Sequence, residues 1–177
     1  METTSQQEEA RYVELQAMAL DFARHGQSDI LESMLKSGLH VNVSDTKGNT
    51  LLMLAAYNGE LDTVRTLIAY GASVDQRNDR YQTPLGGAAF KGHLEICKAL
   101  VEAGAKVDAD NGGGRTPIMF AALFGRVAVV EYLQSVGEKG RDEMILGISL
   151  RRFTSVVLYL KMLFTGKPKK ILSARTL

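Results

Sequence analysis

Thr50-Leu51-Leu52-Met53-Leu54-Ala55-Ala56 is followed 33 residues on by Thr83-Pro84-Leu85-Gly86-Gly87-Ala88-Ala89, and after another 33 by Thr116-Pro117-Ile118-Met119-Phe120-Ala121-Ala122. The same step links Gly59, Gly92 and Gly125; Leu67, Leu100 and Leu133; and Gly71, Gly104 and Gly137. It also runs backwards, from Gly59 to Gly26 and from Gly71 to Gly38. Positions with different physical roles thus share one register over most of the chain. A period in this range is the signature of a solenoid, in which each unit buries its apolar face only against its neighbours. A length of 177 residues then holds a short array of units.

One unit can be read from its residues. Thr50, Thr83 and Thr116 are expected N-caps, whose side-chain oxygens accept a hydrogen bond from an otherwise unpaired helix amide. Pro84 and Pro117 fall at the first helical position, where the missing N–H costs nothing. The alanine pairs let neighbouring helices approach closely. Gly59, Gly92 and Gly125 stand where a helix must end and reverse, which favours positive φ. A second helix follows; in the middle unit Leu94, Cys97, Leu100 and Val101 recur at helical spacing as its expected buried face. Gly104-Ala105 closes it, and Val107 begins an extended turn towards the next unit.

These residues resemble the ankyrin repeat, a unit of about 33 residues built from a β-turn and two helices with a T-P-L-H-x-A signature. The middle unit, from Thr83-Pro84-Leu85 through Gly92-His93-Leu94-Glu95-Ile96 to Gly104-Ala105-Lys106-Val107-Asp108, follows the pattern most closely, and the compact units look like those of small bacterial ankyrin proteins. The resemblance implies an all-α repeat fold. The fold it implies is an ankyrin solenoid of about four 33-residue helix-turn-helix units, expected over 11–43, 44–76, 77–109 and 110–142, with β-hairpin-like loops between them. Departures are visible. Leu51 replaces the first-turn proline. Tyr81 stands where Gly48 and Gly114 stand in the flanking units. Met53, Gly86 and Met119 occupy the place of the signature histidine.

The two ends differ from the middle. Residues 1–10 read as a polar N-terminal tail. In the first unit, Tyr12, Leu15, Ala19, Phe22 and Ala23 give one helical face, and Ile30, Leu31, Met34 and Leu35 give the second; acidic outer residues suit a terminal cap. At the other end Gly147-Ile148-Ser149 lies 33 residues after Gly114-Arg115-Thr116, so the register survives. Thr154-Ser155 replaces the alanine pair and Leu158 the reversing glycine. Residues 143–166 are therefore expected as a degenerate repeat or capping helix, helical from about Ser149 to Thr165, and 167–177 as a basic tail.

Charge follows the same division. The net charge of +1 averages two unlike parts. Residues 1–143 carry 14 Lys or Arg against 20 Asp or Glu, a net of −6, whereas residues 144–177 carry 7 Lys or Arg and no acid. The body is acidic and the short basic cluster lacks interleaved stacking aromatics, so nucleic-acid binding is not expected. The final segment has two readings. Arg151, Arg152, Lys161, Lys167, Lys169 and Lys170, with a strongly apolar helix, could rest on an anionic membrane surface as part of a peripheral scaffold. Alternatively the helix caps the array and carries a solvated basic tail. Its longest apolar stretch, residues 153–164, is shorter than the roughly 20 residues of a spanning helix. Met1 to Ala10 has neither a basic n-region nor an apolar h-region. The single cysteine, Cys97, excludes an internal disulfide and a multi-cysteine zinc site, and an unpaired thiol fits the reducing cytoplasm expected for the chain.

No catalytic constellation emerges, and no enzyme, cofactor, metal or small-molecule substrate is expected. His25 and His93 flank reversing glycines as turn residues; His40 is the third histidine. Cys97 takes the place of Val64 and Val130, so it reads as a small core residue. Asn111-Gly112-Gly113-Gly114-Arg115 precedes a helix but lacks the Lys-Ser/Thr ending of a phosphate loop, and it falls at a hairpin tip. What remains is a surface for another protein. By the resemblance, partners meet the hairpin tips and the inner-helix positions just before the reversing glycine. Carried over by register, the tips supply Thr46, Lys47 and Asn49; Asp79, Arg80 and Gln82; and Arg115. The inner positions are Tyr57 and Asn58, Phe90 and Lys91, and Leu123 and Phe124. Solvent-facing Tyr57, Phe90 and Phe124 would form an aromatic ladder of the kind that anchors interfaces; the alternative is that these rings pack onto neighbouring units.

Overall fold

Of the 177 residues, the computed structural model describes 2–137 and the pairs 144–145 and 148–149. The helices expected from the repeat form in four helix–turn–helix pairs: α1 (Glu2–Arg24) with α2 (Ser28–Lys36), α3 (Leu51–Asn58) with α4 (Leu61–Ala69), α5 (Pro84–Lys91) with α6 (Leu94–Glu102), and α7 (Pro117–Leu123) with α8 (Val127–Val136). The first helices of successive pairs stack on one another as one layer, and the second helices stack as another. The result is an all-α solenoid with its core between the layers.

Local chemistry sets the helix ends. Thr50 and Thr83 take extended backbone, and each side-chain oxygen accepts a hydrogen bond, from the Met53 amide at 3.2 Å and from the Gly86 amide at 3.1 Å. Thr116 takes the same extended cap conformation without a side-chain cap bond, contrary to the expectation for all three threonines. At the other end of α3 and α5, Gly59 (φ 96°) and Gly92 (φ 90°) are left-handed caps. A side chain there would be strained and would also collide with His93 and Arg126, which cover the two turns. Those covering side chains are themselves anchored: His93 Nε2 donates to the Tyr57 carbonyl at 3.2 Å and Arg126 Nε to the Phe90 carbonyl at 3.1 Å.

The core follows the register. Ala55 and Ala56, Ala88 and Ala89, and Ala121 and Ala122 are fully buried, as are Leu51, Leu67, Leu85 and Leu100. Burying one such leucine contributes roughly 1.5–3 kcal/mol. In α6 the buried residues are Ile96, Cys97 and Leu100, whereas Leu94 and Val101 are only partly covered. The expected face missed Ile96, because α6 lies between α4 and α8 and buries a wider stripe than one row of side chains. Burial pushes the Cys97 thiol up to about 12, which makes it an inert core residue.

Two expectations for the first unit change. Helix α1 begins at Glu2, so the described part of the 1–10 tail is helical. Its Gln, Glu and Ala residues are good helix formers, and acids near a helix N-terminus complement the dipole. Tyr12 and Leu15, expected on the buried face, are 41% and 39% exposed, and Ile30 is also exposed. A helix of 23 residues is about 34 Å long, whereas its neighbours α2 and α3 have 9 and 8 residues. They cover only its C-terminal half, where Ala19, Leu20 and Ala23 are buried.

Past the fourth pair, β1 (Met144–Ile145) and β2 (Ile148–Ser149) form an antiparallel hairpin, with Met144 opposite Ser149. It stands 33 residues after the tip that precedes Thr116, so the register continues beyond residue 143. Ser149, expected to begin the C-terminal helix, instead closes this strand, since it pairs with Met144. The rest of that expected helix, the basic residues Arg151, Arg152, Lys161, Lys167, Lys169 and Lys170, and the 167–177 tail lie outside the described residues. Among those described, no helix is long and apolar enough to cross a membrane.

Candidate functional site

Each hairpin tip is a five-residue turn closed by its own backbone. The amides of Asp45, Asn78 and Asn111 donate to the carbonyls of Asn49, Gln82 and Arg115 at 3.0, 3.1 and 2.8 Å. In the first two tips the residue that opens the turn also organises it. Asp45 Oδ1 accepts from the amides of Lys47 and Asn49, both at 2.9 Å, and Asn78 Oδ1 from those of Arg80 and Gln82. Burial alone would raise the Asp45 carboxyl, but the Asn49 side chain, the two amides and nearby Arg24 together hold it below the usual carboxylate range.

The third tip is built one residue out of step. Asp110 Oδ1 takes the amides of Gly112 and Gly114, both at 2.9 Å. The amides of Gly112 and Gly114 therefore already hold a carboxylate. The shift releases the Asn111 side chain, which turns into the body. Its Oδ1 accepts from the Thr83 amide at 2.7 Å and the Thr83 hydroxyl at 3.1 Å, and its Nδ2 donates to the Ala109 carbonyl at 2.8 Å. It fills the space that Gly86 leaves open at the signature-histidine position.

The middle tip carries a different exception. Tyr81 has φ 63°, while Gly48 and Gly114 hold the matching positions at φ 73° and 74°. A non-glycine residue there is strained. The tyrosine is nevertheless kept, with 63% of its surface exposed. In the sequence the signal for this exposed ring beside Arg80 is the departure from glycine at position 81.

On the inner helices the expected aromatic ladder divides its roles. Tyr57 stacks on Phe90 with ring centres 6.1 Å apart and planes 13° apart, and Tyr57 lies over the open side of Gly87. Phe90 meets Phe124 edge-on at 4.3 Å and Phe120 at 6.5 Å. Phe90 is thereby half-buried, so it is the joint between units more than a free anchor. The outer surface of the ladder stays open at Tyr57 (42%), Leu123 (48%) and Phe124 (39%). Cations lie over these rings: Lys91 Nζ is 5.0 Å from the centre of Tyr57, and the Arg115 guanidinium is 5.9 Å from that of Phe120.

Lys47, Asn58, Arg80, Lys91 and Arg115 are exposed, as are the tip residues Thr46 and Asp79. Asn58 Nδ2 is tied to its own helix through the Leu54 carbonyl. Asn49 and Gln82 are half-buried and belong to the scaffold: Asn78 Nδ2 donates to Asn49 Oδ1 at 2.8 Å and to Gln82 Oε1 at 3.1 Å. Adjacent tips are further joined by the Asp79 amide on the Lys47 carbonyl at 3.1 Å.

The histidines are each engaged locally. His25 Nδ1 donates to the Asp21 carbonyl at 2.9 Å, His40 Nδ1 accepts the Asn42 amide at 3.3 Å, and His93 covers the Gly59 turn. No group of three His, Cys, Asp or Glu residues that could hold a metal occurs among the described residues. A family model described as ankyrin repeats (3 copies) matches the chain over residues 18–111 and 71–143. No curated protein matches it.

Proposed function

Because the chain belongs to the ankyrin repeat family, whose repeats are in general protein–protein interaction modules, we propose that it is an adaptor or regulator that holds one partner protein along its inner face and hairpin tips. The observation that carries this reading is the open surface of the aromatic ladder. Tyr57 at one end, and Leu123 and Phe124 at the other, stay exposed beside half-buried Phe90, with Lys91 over Tyr57 and Arg115 over Phe120. Exposed apolar rows edged by polar side chains are contact surfaces in soluble proteins. The tips are held rigid by their own hydrogen bonds and by one another, so binding costs little ordering of the backbone.

Affinity capture with cross-linking tests the reading. Phe90→Ala is a poor probe, since Phe90 also joins the units. Leu123 is 48% exposed and Arg80 is exposed, so Leu123→Ser with Arg80→Ala leaves the stacked rings in place. Partner capture is expected to fall at least tenfold, with a melting temperature within about 2 °C of the parent, because exposed substitutions rarely exceed about 0.5 kcal/mol. Equal capture by the parent and this variant would refute the assignment of the inner face.

A further inference from the structure

The two layers of the solenoid treat their cations differently. On the second helices each lysine or arginine is paired with an acid of its own helix: Lys36 with Glu32 at 3.0 Å, Arg65 with Asp62 at 3.9 Å, and Lys98 with Glu95 at 2.8 Å. Along the tips and inner helices, Lys47, Arg80, Lys91 and Arg115 are exposed and form no ion pair with any described residue. The inner-face acids are partly consumed by the fold. The Asp45 carboxylate accepts hydrogen bonds from its own turn and faces Arg24 at 3.6 Å, and the Asp110 carboxylate holds two glycine amides. Asp79 and Asp110 are the exposed acids among the tip cations. Against these two acids stand four cations, so among the described residues a chain whose first 143 residues carry a net −6 presents a strip with more positive than negative side chains. Lys91 and Arg115 on that strip already lie against aromatic rings.

Resting on the inner-face reading above, we infer that the partner segment held there is an acidic protein segment with an aromatic or large aliphatic side chain between its carboxylates. The rings of Tyr57 and Phe124 and the Leu123 side chain take the apolar group. Lys47, Arg80, Lys91 and Arg115 take the carboxylates on either side. Complementary charge of this kind sets which partner is accepted and how fast it arrives. The chain's own residues 144–177 carry 7 Lys or Arg and no acid, so their charge is the opposite of what this strip complements. A plain polyanion is a poor fit, because the cations are few and interrupted by rings on a body of negative charge.

The test is selection from a random library of peptides about a dozen residues long, displayed against the full chain. Affinities of the selected peptides are then measured for two charge-matched variants. One reverses inner cations, Lys47→Glu with Arg80→Glu and Lys91→Glu. The other reverses outer ones, Lys36→Glu with Arg65→Glu and Lys98→Glu. Circular dichroism checks that both fold. The expected pool is rich in Asp and Glu around an aromatic or aliphatic residue. Its binding weakens about tenfold or more in the inner variant, from several partly exposed charge contacts acting together. It changes less than about twofold in the outer variant, and it falls with rising salt. A neutral or basic pool whose binding is nevertheless lost in Leu123→Ser overturns the acidic assignment and leaves the interaction module standing. Equal binding of a single-stranded oligothymidylate overturns it in favour of any polyanion. A pool indifferent to every inner-face change overturns both readings.

Discussion

By helix propensity alone, Gly86→Ala should stabilise α5 by about 0.5–1 kcal/mol, because glycine in a helix interior is costly. The structure reverses the sign. An added Cβ would lie 2.6 Å from Asn111 Cγ and nearer still to its Oδ1. Asn111 is 2% exposed and Thr83, its partner, is fully buried, so the amide cannot swing out without leaving buried groups unpaired. Displacing it breaks the bonds from the Thr83 amide and hydroxyl and the bond to the Ala109 carbonyl. A buried donor or acceptor left unsatisfied costs about 1–3 kcal/mol. Gly86→Ala is therefore expected to destabilise by about 3 kcal/mol, and Asn111→Ala by a similar amount.

The double variant separates this reasoning from a generic sensitivity of the region. Once Asn111 is truncated, the alanine Cβ at 86 has room, and the helix-propensity gain returns. The pair should be no less stable than Asn111→Ala alone, which gives a favourable coupling of roughly 3 kcal/mol, at the upper end of direct contacts. Urea unfolding followed by far-UV circular dichroism measures the four corners of the cycle. Hydrogen exchange at the Thr83 amide gives a local reading, since its protection should fall in both single variants. Additive effects, or a Gly86→Ala chain as stable as the parent, would show that Asn111 does not serve as the substitute for the missing side chain at 86.

Three further outcomes follow from single residues. Tyr81→Gly should raise stability by about 1 kcal/mol in the same denaturation assay, because it relieves the left-handed tyrosine; an unchanged or lowered stability would mean the ring is held by packing. Thr63→Val should stabilise by about 1 kcal/mol, since the Thr63 hydroxyl is buried without a hydrogen-bond partner among the described residues and the register-equivalent Ile96 and Val129 are buried apolar residues; a loss would imply an ordered water at that oxygen. For Asp45, the folded carboxyl lies below its ordinary value, so its contribution is present above about pH 4 and lost as the pH falls through the folded value. Asp45→Asn keeps the acceptor that Asn78 uses in the next tip, so the stability gap between parent and variant should be widest near pH 7 and close on acidification. A gap independent of pH would rule out the charge as its source.

The fold was legible because the period ties together residues whose roles are local. A threonine cap, a proline at the first helical position and a glycine at a reversal each act within a few residues, and repeating them at one spacing leaves few alternatives. What escaped were the compensations between units. Gly86 reads as a weakened turn when its own unit is considered. Its replacement side chain comes from Asn111, at a different place in the next unit, and is free only because Asp110 takes over the turn. Nothing within either unit alone encodes that exchange. The exposed half of α1 escaped for a geometric reason: helical periodicity marks which residues share a face, not how far the neighbouring helices extend to cover it.

The candidate surface divides in the same way. Register alone put Tyr57, Phe90 and Phe124 on the inner helices, because these positions are fixed by distance from the reversing glycine. How each ring shares its area between neighbours and solvent depends on residues outside that set. Gly87 opens the space against which Tyr57 lies, and Phe120 supplies the second edge against Phe90. These two residues are themselves register equivalents, so one column of the array decides whether the ring in the previous unit is free or held. The ladder is both the seam between units and the exposed strip, and its two roles fall on different rings: Phe90 in the seam, Tyr57 and Phe124 at the open edge. A substitution at Phe90 must therefore disturb stability and surface together, whereas the cations at 80 and 91 and the leucine at 123 can be changed with the stack intact. If the inner face holds a partner as proposed, those exposed positions are where its choice can change without altering the fold.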